Sequence, residues 1–570
     1  MRKFCLLFFL LCFTATIKSQ VPADAIAPED AAFNAAYANR NIPTVTGKLL
    51  NISADELKKL PISYTLVTPF SKFQVKKTTS AQPDGSFRLE IDYPFPYQQI
   101  WFGVGDFFYA GLYVNKELYL ELDMKKIKAL KEVNFNGDGV RYLGTDGPLN
   151  VYLNNYILYK RPEQLQLSGK ISNLISSSRA AANDILQEYN KLFDSVKKIE
   201  DSYIAANPSP YSWLLENERM SEYYSHICTY YWGKTMDDTI WQKMKQHKSY
   251  LISNNGTLFY NYMTTYISLS FGGVPTSWKD VAELPDPEPA DKVLIDSLRN
   301  SEKKQPEYPY TPENIKKWTK QLKPQIGKLA YIRSLDKSIQ IIDSMFSPAR
   351  ADFIKLRLNA SKDVSEQKVA LEHIIRSMHT GWCTEVLQKE YKHTTDKIDE
   401  INKILATSGG GTQHTSFGKP LMETPFGASL YNASGIKVAD FLVKLKQSFP
   451  NKAIIIDRWA TWCGPCLSEM PYGKSLQEES TDLPVVFVYL CTLNGSSESK
   501  WKSKVIELKQ PGIHILIDEA LDAELSNYFS FSGYPGYAFI DKAGSYRPGA
   551  IKRVSDIENR EALFDLINKK

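Results

Sequence analysis

The sequence predicts a multidomain chain: an N-terminal antiparallel β-sandwich-like domain over residues 42–145, an all-α middle region over 147–407, and a C-terminal α/β domain over 419–570. Three observations carry this prediction. Apolar and polar residues alternate in the first part, apolar residues recur every three or four positions in the second, and the third alternates short apolar runs with helical patterns. At 570 residues the chain needs more than one core, and 43% hydrophobic with 12% aromatic residues supplies the material.

At the N-terminus, Arg2-Lys3 precede an apolar stretch from Phe4 to Ile17 that is too short to span a bilayer, and polar Lys18-Ser19-Gln20 follow. This is the pattern of a secretory signal peptide over residues 1–20, so the expected location is periplasmic or otherwise exported. Removing Arg2, Lys3 and Lys18 takes three charges from the net +5 and leaves +2. A balance so close to neutral argues against a nucleic-acid or acidic-lipid partner. Cys12 raises the question of lipid attachment, but the bulky Phe9-Leu10-Leu11 before it favour a soluble exported protein over a lipoprotein.

In the β region Phe87, Leu89, Ile91 and Tyr93 alternate with Arg88, Glu90 and Asp92, and Leu118, Leu120 and Leu122 with Tyr119, Glu121 and Asp123. Gln82-Pro83-Asp84-Gly85 and Asn136-Gly137-Asp138-Gly139 supply turns. No chemistry-bearing residues cluster here, which suits a scaffold or docking module. In the middle region Ile185, Leu186, Tyr189, Leu192 and Phe193 mark one helical face, and Leu371, Ile374, Ile375 and Met378 another. Its frequent tyrosines and tryptophans read as core, because aromatic rings bury so much area. Cys228 and Cys383 read as two buried thiols in preference to a long-range disulfide. Residues 275–324, rich in proline and charge, read as an irregular surface excursion, and Ser408-Gly409-Gly410-Gly411-Thr412-Gln413 opens a flexible linker over 408–418.

The C-terminal part holds the chemistry. Ala453-Ile454-Ile455-Ile456 reads as a buried strand, Trp459-Ala460-Thr461-Trp462-Cys463-Gly464-Pro465-Cys466 follows, and Leu467–Glu479 has helical spacing. Two cysteines thus sit at a strand-to-helix turn, where free N–H groups and the helix dipole favour a thiolate. Lowering a thiol pKa from about 8.5 to about 7 stabilises the thiolate by roughly 2 kcal/mol and ionises about half of it near neutrality. Cys463 is then the nucleophile, and Cys466, one turn on, resolves the mixed disulfide. A structural zinc site would need two more ligands; no second CxxC exists, and the one later histidine, His514, falls in a strand-like run. No metal or cofactor is therefore expected. Cys491 ends a strand and reads as a buried bystander. Beyond it the pattern predicts helix 497–508, strand 513–518, helix 520–529, strands 537–541 and 550–554, and a last helix from Ser555 with Glu558 closing a capping box.

The run from Trp459 to Cys466, with Leu467-Ser468-Glu469-Met470-Pro471 after it, resembles the TlpA/ResA branch of the thioredoxin superfamily, exported thiol-disulfide oxidoreductases of bacteria. The resemblance implies a C-terminal α/β thioredoxin fold, Cys463 and Cys466 as the redox-active disulfide, Glu469 tuning cysteine protonation, and Asp457 as the buried acid that moves a proton to and from the second thiol. Gly533-Tyr534-Pro535-Gly536 resembles the family's cis-proline loop, which implies that Pro535, with Tyr534 and Trp462, lines the substrate groove. Arg458 stands where an aromatic is usual, and Tyr534 where a small or β-branched residue is common. Both bear on substrate preference, and Tyr534 either narrows the groove or packs on Trp462. The N-terminal pattern is similar to the small β-domain found ahead of TlpA-like domains in Bacteroidota-type exported proteins. The expected activity is reduction of disulfides in client proteins, with electrons from a membrane donor of the DsbD/CcdA kind. Two other readings stand beside it: a thiol peroxidase of the same fold, whose PxxxTxxC setting is absent, and a binding or scaffold protein to which the redox domain is accessory.

Overall fold

A computed structural model of the chain describes residues 21–569 apart from residue 24, 71–74, 131–132, 134, 177–181, most of 277–321, 359–362 and 409–416. The N-terminal apolar stretch, nearly all of the proline-rich excursion and most of the glycine-rich linker lie outside the described residues. The chain forms two compact units, one of residues 1–361 with 366–391, the other of residues 392–570 with 362–365. Among the described residues, no helix is long and apolar enough to cross a membrane.

Unit 1 begins with eight strands: β1 (Thr44–Leu50), β2 (Ile62–Leu66), β3 (Val75–Thr79), β4 (Ser86–Leu89), β5 (Gln98–Val104), β6 (Phe108–Val114), β7 (Glu117–Asp123) and β8 (Val140–Leu143). They make two four-stranded sheets, ordered β4-β1-β7-β8 and β3-β2-β5-β6. Inward residues of both sheets, among them Val45, Leu118 and Leu120 of one and Ile62, Ile100 and Phe102 of the other, share one apolar core. The expected alternation holds along β7, where Leu118, Leu120 and Leu122 are buried between half-exposed neighbours. The turn before β4 uses Gly85 at φ 85, where an added Cβ would come within 2.4 Å of the Leu49 carbonyl oxygen. No side chain fits there.

Two expectations need correction. The strands are not all antiparallel: β1 and β7 run parallel over seven residue pairs. A parallel partner requires a long crossover, and the whole second sheet lies between these two strands in sequence. The strand predicted through Tyr93 stops at Leu89. Pro94 and Pro96 cannot donate to a ladder, and Tyr93 instead stacks on Phe95 at 5.4 Å between centroids, within the helical core.

The described residues that follow in unit 1 are mainly helical, and from residue 147 to 407 no strand occurs among the described residues. Its core is as aromatic as expected, with Tyr189, Phe193, Tyr224, Tyr230 and Tyr231 all buried. Cys228 and Cys383 are separate buried thiols.

Unit 2 is built on a six-stranded sheet ordered β14-β11-β12-β13-β10-β9. Its strands are β9 (Lys419–Glu423), β10 (Ala428–Asn432), β11 (Ala453–Trp459), β12 (Val485–Thr492), β13 (Gly512–Ile517) and β14 (Gly536–Ile540). The neighbours of β12 and the β10–β13 pair are parallel, while β14 and β9 run antiparallel to theirs. The mixed sheet is buried on both faces, and β11 accordingly reads as a continuous apolar run interrupted only by Asp457 and Arg458. Residues 392–407, which the periodicity groups with the middle region, belong to this unit; Ile401 is buried with Trp459 and Trp501. Residues 550–554 form no strand, because the edge strand β14 is bridged by Tyr546 instead. The last helix runs Arg560–Asn568 and is capped by Asn559, whose Oδ1 accepts from Ala562 N at 2.9 Å. Ser555 is engaged elsewhere.

Candidate functional site

The site lies where β11 ends and the helix Gly464–Glu479 begins. Cys463 is the N-cap residue, and Pro465 sits in the first turn, where its missing N–H leaves no bond unmade. Cys463 and Cys466 form a disulfide with Cα atoms 5.3 Å apart, and Cys466 N donates to Cys463 Sγ at 3.2 Å. That N–H is one of the free donors of the first turn and holds the sulfur where the helix dipole favours negative charge. Cys463 is 3% exposed and Cys466 fully buried. Trp462, by contrast, is 51% exposed. Its Nε1 donates to the Asn494 carbonyl at 2.8 Å, and its ring meets Tyr534 edge-on at 5.4 Å. The Tyr534–Pro535 peptide bond is cis.

Successive residues of a strand face opposite sides of the sheet, and β11 exploits this beside the cysteines. Ile455, Asp457 and Trp459 share the face whose core contains both sulfurs. Asp457 is buried, and its Oδ1 has no hydrogen-bond partner among the described residues. Desolvation, with a smaller contribution from the charge of Glu469, pushes its pKa from 3.8 up to about 8. It is therefore largely protonated at neutral pH, available to give a proton and to take one back. Glu469 lies on the helix three residues after Cys466, half-buried, and accepts from both N and Oγ of Ser555 at 3.1 Å. This bond occupies the serine that the sequence pattern assigns to a helix cap.

Arg458 points to the other face, against the helix Glu519–Phe529. Its guanidinium is buried and forks onto Asp522, Nε to Oδ1 at 2.7 Å and Nη2 to Oδ2 at 2.8 Å. It also donates to the Gly533 carbonyl at 3.1 Å and to Tyr534 Oη at 2.8 Å, and lies 3.8 Å from the centroid of the Tyr534 ring. Tyr534 Oη in turn donates to Asp522 Oδ2 at 2.7 Å. Burial and the Asp522 hydrogen bond lift the Tyr534 pKa to about 12, so the hydroxyl stays protonated. The two departures from the family pattern are thus halves of one arrangement that Asp522 completes. Asp522 was not singled out from sequence; its only local signal is its place in the first turn of a helix.

The remaining candidates, Cys491 and His514, are both buried. Cys491 is a buried thiol with a raised pKa, paired in register with Trp459. His514 stacks on Tyr489 at 4.7 Å inside β13, its pKa lowered to about 4 by burial. Among the described residues no cluster of three His, Cys, Asp or Glu side chains could hold a metal ion.

The Redoxin family matches residues 435–554. A thioredoxin-like protein of Bacillus subtilis, YneN, is 31% identical over 101 residues, 17% of this chain and 55% of its own length. The thiol-disulfide oxidoreductase ResA of Bacillus cereus is 27% identical over 127 residues, 22% of this chain and 68% of its own. Among solved structures, the thioredoxin domain of a thiol-disulfide oxidoreductase from Bacteroides vulgatus is 20% identical with a TM-score of 0.20, covering 21% of this chain and 84% of that one. The chain spans about half the length of the first of these relatives. The domain built around Cys463 is thus similar to members of the thioredoxin superfamily. Within it, the domain is TlpA/ResA-like.

Proposed function

We propose that this protein is an exported thiol-disulfide oxidoreductase that reduces disulfides of client proteins. The observation that carries the reading is the Cys463–Cys466 pair at the helix N-terminus with the protonated Asp457 on the same sheet face. In the reduced form the Cys463 thiolate attacks one client sulfur, forming a mixed disulfide and expelling the other client sulfur as a thiolate. Cys466, deprotonated, then attacks Cys463 Sγ, which reforms the intramolecular disulfide and releases the client as a dithiol. Two electrons pass to the client, and a donor of the DsbD/CcdA kind returns them. Asp457 in its ionised form accepts the proton from Cys466, and Glu469 sets how readily it does so. Trp462, Tyr534 and Pro535 line the groove in which the client chain lies. Export rests on the signal-peptide pattern of residues 1–20, and a soluble product on the bulky residues before Cys12.

The test is the Cys463–Cys466 reduction potential, measured by equilibration in glutathione buffers on a variant lacking the other cysteines. A value near or below that of thioredoxin, about −270 mV, is expected. A value near that of DsbA, about −120 mV, would make the protein a donor of disulfides and reverse the proposed direction.

A further inference from the structure

Away from the cysteine pair, unit 1 contains a cleft with the chemistry of a binding site. The cleft has a volume of about 220 Å³ and is walled by β5, β6 and the helices Gly147–Ser176, Ala182–Ala206 and Ser212–Tyr230. Trp101 and Tyr156 form its apolar side. Five charged side chains reach into it. Arg219 and Glu200 neutralise one another at 2.9 Å. Lys160, Glu218 and Glu222 remain. Lys160 Nζ lies 4.9 Å from the Tyr156 ring centroid and has no carboxylate or hydrogen-bond partner among the described residues. Glu222 has no partner among them either, and Glu218 accepts a single hydrogen bond, from Ser253 Oγ. Removal from bulk solvent lowers the Lys160 pKa, against the pull of Glu222, Glu200 and Glu218, and raises that of Glu218 to about 7.

Charges half-withdrawn from water in a cleft without protein partners oppose folding, and a cleft that retains them is one in which a ligand completes them. An anion alone would meet Glu222, and a cation alone would leave Lys160 uncompensated. A molecule with both charges satisfies the set. At about 30 Å³ per water the cleft holds roughly seven waters, the space of a ligand with about seven to ten heavy atoms. We propose that this cleft binds a free α-amino acid, its carboxylate on Lys160, its ammonium on Glu218 and Glu222, and its side chain against Trp101 and Tyr156.

The experiment is titration calorimetry on the full exported chain near neutral pH. The titrants are the common amino acids one by one, with butylamine and butyrate as single-charge probes. An aliphatic amino acid is expected to bind, with each single-charge probe about tenfold weaker or worse. Lys160→Met and Glu222→Gln should each weaken binding about tenfold or more, while their ligand-free melting temperatures stay level or rise. A Cys463→Ser/Cys466→Ser variant should bind as the parent does, which separates this site from the redox reading. The proposal is overturned if no amino acid binds, if butylamine or butyrate binds as tightly, or if both charge variants bind unchanged. A lower melting temperature in both ligand-free variants would assign these charges to the fold and likewise overturn it.

Discussion

Asp457 and Arg458 are sequence neighbours, but the pleat gives them opposite tasks, and each can be tested alone. Asp457 holds a proton in the folded state up to about pH 8, whereas its ordinary carboxylate pKa is 3.8. Between these values the folded chain binds more protons than the unfolded one, so stability declines as pH rises through that window; below it the contribution is complete. Asp457→Asn removes this slope. The advantage of Asn over Asp in urea unfolding of unit 2 should therefore grow by a few kcal/mol between about pH 5 and about pH 8.5; a constant difference would place the proton elsewhere. Arg458 is a different case. Its buried fork onto Asp522 and Tyr534 means that Arg458→Met strands a carboxylate, and the expected loss is about 3–5 kcal/mol. Arg458→Met combined with Asp522→Leu should recover most of it in the same denaturation assay, since the penalty belongs to the unpaired charge. The Cys463–Cys466 turn was legible from sequence because strand, turn and helix signals are local. The Arg458–Asp522–Tyr534 contact joins three elements, and no short-range pattern encodes such a pairing.

At the level of elements, legibility followed the number of partners. β11 and β12 lie inside the sheet with a hydrogen-bonded neighbour on each side; their unbroken apolar runs give away both identity and approximate limits. Residues 550–554 carry enough apolar character to suggest a strand, yet β14 is an edge and offers its outer side only to a bridge from Tyr546. Pattern alone cannot tell whether a partner edge is free. The final helix shows the same weakness in its cap. Ser555 and Glu558 have capping-box spacing, but Ser555 is held by Glu469, and Asn559 caps a helix that starts five residues later. Asn559→Ala should therefore cost about 1 kcal/mol, and Glu558→Ala close to nothing, in chemical denaturation of unit 2. Equal losses would restore the earlier helix start.

For the whole molecule, the question is where the redox unit begins. Composition points to the glycine-rich run after Ser408, because a tract without side chains contributes nothing to a core. The packing of unit 2 extends further back. Ile401 is buried with Trp459 and Trp501, and Ile398, Ile404 and Leu405 pack against the same core. Lys397 bonds Glu507 at 2.9 Å, and Lys509 reaches Glu400 at 2.7 Å. These exposed or half-exposed ion pairs contribute little, so the isoleucines decide the matter. Burying one such side chain is worth about 1.5–3 kcal/mol, and deleting it leaves apolar surface of the sheet face open to water. A fragment of residues 392–569 should therefore melt several degrees above one of residues 419–569, and less of it should aggregate on refolding. Both should keep the reduction potential of the full chain, because the turn, Asp457 and Glu469 lie within either fragment. Equal melting temperatures would show that the segment before the glycines only leads into the domain, and would put the functional boundary at the linker after all.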